Sequence, residues 1–102
     1  MQARPKLILA LALTTQLGPA VAAEVISSGQ RLYATCAGCH GTNGAGSGTA
    51  LPVLAGQPKD ALAKSLRDFK AGTRPATVMH QIAKGYTEEQ IEQIAAYLAM
   101  QK

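Results

Sequence analysis

The sequence predicts a small all-α domain. Three observations carry that reading. Apolar residues recur three and four apart in the C-terminal half, glycine and proline punctuate those runs, and no strand-length alternation of apolar and polar residues appears. No internal repeat is visible in the 102 residues.

Residues 1–23 read as a secretory signal that does not belong to the fold. Arg4 and Lys6 form a short basic stretch, Leu7–Leu13 is apolar throughout, and Ala20-Val21-Ala22-Ala23 offers small residues for cleavage. An amphipathic helix fits poorly, because the run is apolar on every side and meets Gly18-Pro19. It also stops at Thr14-Thr15-Gln16, far short of the ~20 residues a membrane span needs. Cleavage after Ala23 would leave 24–102, 79 residues, as the mature domain. It would remove two of ten basic residues and none of six acidic ones, so the net charge falls from +4 to +2.

The first helix is expected from Ser28 to Cys36, with Ser27 or Ser28 as its cap and Leu32, Tyr33 and Cys36 on one face. The run GTNGAGSG at 41–48 is too rich in glycine for a helix and reads as a loop, followed by extended chain at 51–56. A second helix opens at Pro58 with Asp60 against the helix dipole; it carries Leu62, Leu66 and Phe69 on one face and stops at Gly72. A short third helix is expected over Ala76–Lys84, closed by Gly85. The last begins with a Thr87–Gln90 capping box and presents Ile91, Ile94, Ala95 and Leu98 as its apolar stripe.

Composition narrows the function. Two cysteines cannot build the disulfide framework of a small secreted scaffold. Nucleic-acid binding is disfavoured, because the basic residues are scattered and three tyrosines and one phenylalanine are the whole aromatic stock. The glycine run is no phosphate loop, since no lysine follows it and no strand precedes it.

The chemistry lies in Cys36-Ala-Gly-Cys39-His40. C-x-x-C-H is the attachment site of a c-type haem. Two thiols one helical turn apart can meet the two vinyl groups of one macrocycle, and the next residue, His40, is delivered to the iron. A thioredoxin-like thiol pair would need a βαβ setting, and a zinc site would need a second ligand pair where only His80 remains. A disulfide across two residues is strained and leaves His40 unexplained. Met79 is the candidate for the sixth iron position, with His80 as its rival. Adjacent helical residues point about 100° apart, so only one of them can face the iron. The apolar set Val78, Met79, Ile82 and Ala83 turns His80 outward. Core packing is the bland alternative for Met79.

On these residues the chain resembles a class I cytochrome c. The first helix leading into CAGCHG, the glycine loop and a closing helix with EQIAAYL follow that pattern over residues 27–100. The stretch from Pro52 to Gln57 followed by Leu62, Leu66, Phe69 and Gly72 is similar to the cytochrome c4 type. VMHQIAKGY, from Val78 to Tyr86, is similar to the cytochrome subunits of flavocytochrome c sulfide dehydrogenases. The resemblance implies one covalent haem c held by Cys36 and Cys39, with His40 and Met79 as iron ligands. It also implies that the Pro52 carbonyl accepts from His40, and it places Gly29 and Tyr97 at the crossing of the first and last helices. Arg74 and Lys84 flank the Met79 segment as partners for a haem carboxylate, as docking charges, or as plain surface charge.

Ligation by histidine and methionine leaves no vacant iron site, which favours electron transfer over ligand chemistry. The function implied is a periplasmic mono-haem cytochrome that is not catalytic on its own. It would be the haem subunit of a sulfide dehydrogenase, taking electrons from an FAD-containing flavoprotein subunit and passing them to a soluble acceptor. A free shuttle of the cytochrome c4/c5 type is the alternative, and an open-site haem enzyme or gas sensor is a third. Neither nucleic acid nor a membrane span enters any of them.

Overall fold

In the computed structural model, residues 2–3, 19–48 and 51–102 are described, and among them there are helices and no strand. The basic and apolar stretches assigned to the signal lie outside the described residues. Five helices follow in order: α1 Pro19–Tyr33, α2 Ala37–His40, α3 Lys59–Ala71, α4 Met79–Ala83 and α5 Glu88–Ala99. A single 3-10 turn, Thr42–Gly44, follows α2.

The first helix extends further towards the N-terminus than expected: the described residues are helical from Pro19, and the alanines at 20, 22 and 23 suit that conformation. Ser27 and Ser28 are therefore interior residues and not caps. Their hydroxyls accept from the Arg31 guanidinium at 2.9 and 3.2 Å. The helix ends at Tyr33, and Cys36 lies beyond it as the residue preceding α2.

The two longer helices downstream begin and end as the sequence suggests. Pro58 sits one residue outside α3, whose second residue is Asp60. At its other end Gly72 adopts a left-handed conformation (φ 76°). The Gly72 N–H donates to the Phe69 carbonyl (3.1 Å) and the Thr73 N–H to that of Asp68 (3.0 Å), a complete Schellman closure. At the start of α5 the Gln90 N–H donates to Thr87 Oγ1 (3.2 Å), and the Thr87 N–H donates to Gln90 Oε1 (3.0 Å). Both orphan donors of the capping box are thus satisfied. The fourth helix is shorter than expected: residues 74–78 stay non-helical and run along a cavity wall, and helix begins only at Met79.

The buried cluster consists of Tyr33 from α1, Leu62 and Ala63 from α3, and Ile91, Ile94, Ala95, Tyr97 and Leu98 from α5. The last helix is thus the central element, packed on α1 along one side and α3 along another. The α1–α5 crossing depends on Gly29. A Cβ there would fall 2.2 Å from the Gln93 carbonyl oxygen and 2.6 Å from Tyr97 Cβ, so the two backbones touch. Away from the core, Arg67 of α3 reaches both Glu88 (2.7 Å) and Glu92 of α5, and Lys59 pairs with Glu92 at 3.0 Å. This network clips α3 to α5 on the solvent side.

Gly29→Ala should destabilise the holoprotein by about 1–3 kcal/mol, because the obstacle is a backbone carbonyl that cannot rotate away. Denaturant unfolding checks this, and an unchanged midpoint would show that the crossing can widen freely. The ion network sets a pH dependence. Lys59 first and Arg67 second hold the Glu92 carboxyl below its ordinary value of 4.5. The folded chain therefore takes up that proton less readily than the unfolded chain. The network's stabilisation is in place above pH 4.5 and is lost as the pH falls through the folded-state value. Glu92→Gln should accordingly lower the unfolding midpoint modestly at neutral pH, with the gap from the parent protein closing as the pH drops below 4.5.

Candidate functional site

The site is built on a single helical turn. Both the Cys39 and the His40 N–H donate to the Cys36 carbonyl, at 3.2 and 3.0 Å, so Cys36 and Cys39 bracket one turn and His40 closes it. Cys36 is half-buried, Cys39 is exposed, and both are free thiols. Burial pushes the Cys36 thiol above its ordinary value; a hydrogen bond with Tyr86 works against that shift and the neighbouring Cys39 adds to it. Among the described residues no group of three or more His, Cys, Asp or Glu could hold a metal ion, so a structural zinc centre has no ligands.

The chain leaves this turn through Gly41 (φ 84°, ψ 168°), where a Cβ would collide with the Gly46 carbonyl oxygen at 2.1 Å. The Gly46 N–H donates back to the His40 carbonyl (2.8 Å), and the buried Tyr33 hydroxyl donates to the Gly41 carbonyl (2.6 Å). Gly44 packs against Leu98, and its carbonyl accepts from the N–H groups of Leu54 and Ala55 at 2.9 and 3.0 Å. Asn43 is held in a left-handed conformation (φ 55°), and its side chain accepts from the Tyr97 hydroxyl. The glycines at 41, 44 and 46 thus serve turns and close packing of the protein on itself, and none of them lines the cavity described next.

Those loop hydrogen bonds fix the segment 51–56, which carries Pro52. The Pro52 carbonyl oxygen lies 3.1 Å from His40 Nδ1. A carbonyl can only accept, so the proton sits on Nδ1 and Nε2 is left with its lone pair free. His40 is buried, with 7% of its surface exposed.

His40 borders a cavity of about 350 Å³. Leu62, Ser65, Leu66 and Phe69 of α3 and Ile94 and Leu98 of α5 form its floor and wall. Residues 74–79, ending in Met79, also line it. A second cavity of about 70 Å³ adjoins it and is bordered by Cys36, Cys39, His40, Met79 and Ile82. The two thiols, the imidazole with a free Nε2 and the thioether therefore converge on one largely apolar space. His80 borders neither cavity, and its Nδ1 is buried without a hydrogen-bond partner.

This donor set fits a haem joined through two thioethers, with nitrogen and sulfur available on the walls of an apolar pocket. Of the two flanking cations, Arg74 borders the larger cavity and Lys84 borders neither. Sequence reasoning missed the Tyr33 and Tyr97 hydroxyls as anchors of the glycine loop. Each tyrosine reads as core from its spacing, and only the folded chain brings position 41 to 33 and position 43 to 97.

Comparisons with known proteins agree with this geometry. The Cytochrome c family model matches residues 26–102. The cytochrome subunit of sulfide dehydrogenase from Chlorobaculum tepidum is 46% identical over 79 residues, covering 78% of this chain and 71% of that protein. Cytochrome c4 of Pseudomonas aeruginosa is 38% identical over 98 residues, 95% of this chain and 49% of that one. Among solved structures, reduced recombinant cytochrome c4 from Pseudomonas stutzeri superposes with a TM-score of 0.73 at 28% identity, over 78% of this chain and 50% of its own. The chain thus spans about half the length of the cytochrome c4 proteins it matches.

Proposed function

This chain belongs to the cytochrome c family, and on that premise we propose that it is the haem subunit of a periplasmic flavocytochrome c sulfide dehydrogenase. The family carries covalent haem c, one haem-binding domain is present, and the class I all-α fold and electron transfer follow with it. The partner assignment rests on one observation: the likeness to the Chlorobaculum sulfide dehydrogenase subunit extends over most of that protein's length. A second reading, a free electron shuttle, draws on the likeness to cytochrome c4 in sequence and fold.

In this reading haem c supplies a one-electron iron centre that alternates between ferric and ferrous states. Cys36 and Cys39 tether it through thioethers. His40 binds iron through Nε2, and the Pro52 carbonyl fixes the ring's tautomer and orientation while strengthening the nitrogen as a donor. Met79, which lines the same cavities as His40, would supply sulfur. A thioether is a weak donor that favours the ferrous state and raises the potential, and filling the sixth position keeps oxygen and small ligands off the iron. The apolar side chains of α3 and α5 keep water from the centre, so little solvent must reorganise when an electron moves. The FAD subunit would take electron pairs from sulfide, and this subunit would relay them singly to a soluble acceptor.

Residues 1–23 belong to this proposal as the export signal, with Glu24 as the mature N-terminus. Cleavage there would keep residues 24–33 of α1, including Gly29, and would set an acidic residue at the helix start, where the dipole favours it.

Two experiments test the reading. Met79→Ala should abolish the weak long-wavelength ferric band of a methionine–iron bond, and His80→Ala should leave it intact; a parent protein that lacks the band, with a low-spin ferric spectrum lost in His80→Ala, would make His80 the ligand. Purification of the tagged chain from the periplasm should recover stoichiometric flavin and a complex whose haem is reduced by sulfide. A lone haem protein that sulfide cannot reduce, even with candidate flavoproteins added, would replace the subunit reading with the shuttle.

A further inference from the structure

Residues 75–85 form a strap that includes α4 and carries Met79 along the larger cavity. Its hydrogen bonds run within the strap and to the residues flanking it, and among the described residues none reaches another element. With five residues and no side-chain cap at its start, α4 has little helical stability of its own. Hydrogen bonds to the rest of the protein begin at the two ends of the strap. Ahead of it, the Thr73 and Arg74 N–H groups donate to the Asp68 carbonyl of α3, at 3.0 and 3.4 Å. Behind it stands Tyr86.

Tyr86 joins four helices. Its N–H donates to the carbonyl of the fully buried Ala83 at the end of α4 (3.2 Å), and its own carbonyl accepts from Lys70 Nζ in the last turn of α3. Its hydroxyl donates to the Leu32 carbonyl of α1 (3.4 Å) and is a hydrogen-bond partner of Cys36. The side chain packs on the buried cluster, and the next residue, Thr87, caps α5. The Lys70 contact is the strongest in kind, because its donor is charged. Lys70 makes no ion pair among the described residues, so no carboxylate competes with the carbonyl for it.

A thioether is a weak iron donor, so how long Met79 stays on iron depends on how firmly its strap is held. We propose that Lys70 and Tyr86 are positioning residues for Met79, pinning the downstream end of the strap so that the thioether stays on the ferric iron. The proposal rests on the reading of Met79 as the sixth ligand. Neither residue lines either cavity, so each acts through the chain. Keeping one ligand set in both oxidation states spares the protein a rearrangement at each electron transfer. Releasing the pin raises the fraction of molecules in which Met79 has left the iron, and an added ligand binds in proportion to that fraction.

The test uses the ferric holoprotein, with imidazole as the added ligand. Lys70→Met keeps the apolar stem and removes the ammonium; it should raise the affinity for imidazole by about threefold to tenfold. Lys70→Arg, which still donates, should stay near the parent value. Tyr86→Phe keeps the carbonyl and loses only the hydroxyl, so it should raise the affinity by about twofold to threefold. It also carries the test should Lys70→Met fail to fold. Without imidazole, all three variants should retain the weak ferric band. Gly29→Ala controls for lost stability: it weakens the α1–α5 crossing and should leave the imidazole affinity unchanged. Parent-like affinity in both Lys70→Met and Tyr86→Phe overturns the proposal. An equal rise in Gly29→Ala also overturns it, because the effect would then be one of general stability. A parent protein without the weak ferric band removes Met79 from the iron, and the proposal falls with it; that failure of the underlying reading is visible before any variant is made.

Discussion

Between α3, α5 and residues 74–79 the chain leaves about 350 Å³ that its own side chains do not fill, and the rest of the fold is arranged around that volume. Protein interiors are close-packed, and the buried cluster beside this space has only eight members, two of them alanine. A flat, rigid, largely apolar macrocycle bonded at two points therefore acts as a structural element here as much as a redox one. The shortage of aromatic side chains follows from the same fact, since the cofactor provides the large flat surface that tryptophan and phenylalanine provide elsewhere.

Given that constraint, each element has a definite task. In the proposed reading the turn from Cys36 to His40 carries the tether and one ligand. The glycine loop carries no ligand; it folds the chain back on Leu54 and Leu98 so that Pro52 arrives beside His40. The third helix and residues 74–79 both line the cavity, and Arg67 with its acidic partners keeps α3 fastened to α5. Gly29 lets α1 lie against α5 closely enough for the N-terminal side of the cofactor turn to share one core with the C-terminal helix.

How much of this was legible in the sequence depended on whether the controlling interaction is local. The capping box at Thr87 and Gln90 and the glycine stop at Gly72 involve neighbours in the chain, and both appear where the pattern puts them. The start of α1 did not, because serine is an equally good hydroxyl partner for Arg31 within a helix, and nothing at residues 27–28 forces the chain to begin there. The shortened α4 reflects tertiary context: Arg74 to Val78 are drawn out along the cavity wall, and no residue-level preference announces that. For the site, the C-x-x-C-H spacing singled out Cys36, Cys39 and His40, which the fold sets around the cavities, while the absence of His80 from both linings is a property of the folded chain alone.

The acceptor that orients His40 is a main-chain oxygen. Every residue type carries one, so the chemical identity of position 52 is not what the imidazole reads. What has to be inherited is the path of the backbone through 51–56, and that path is written elsewhere: in Gly44, whose carbonyl holds Leu54 and Ala55, and in Gly56, whose N–H is anchored to Leu98. Mutational vulnerability is thereby displaced from the contact to its scaffolding. A single methyl group added at Gly44, eight residues before Pro52, strikes Leu98 and loosens the histidine it never touches.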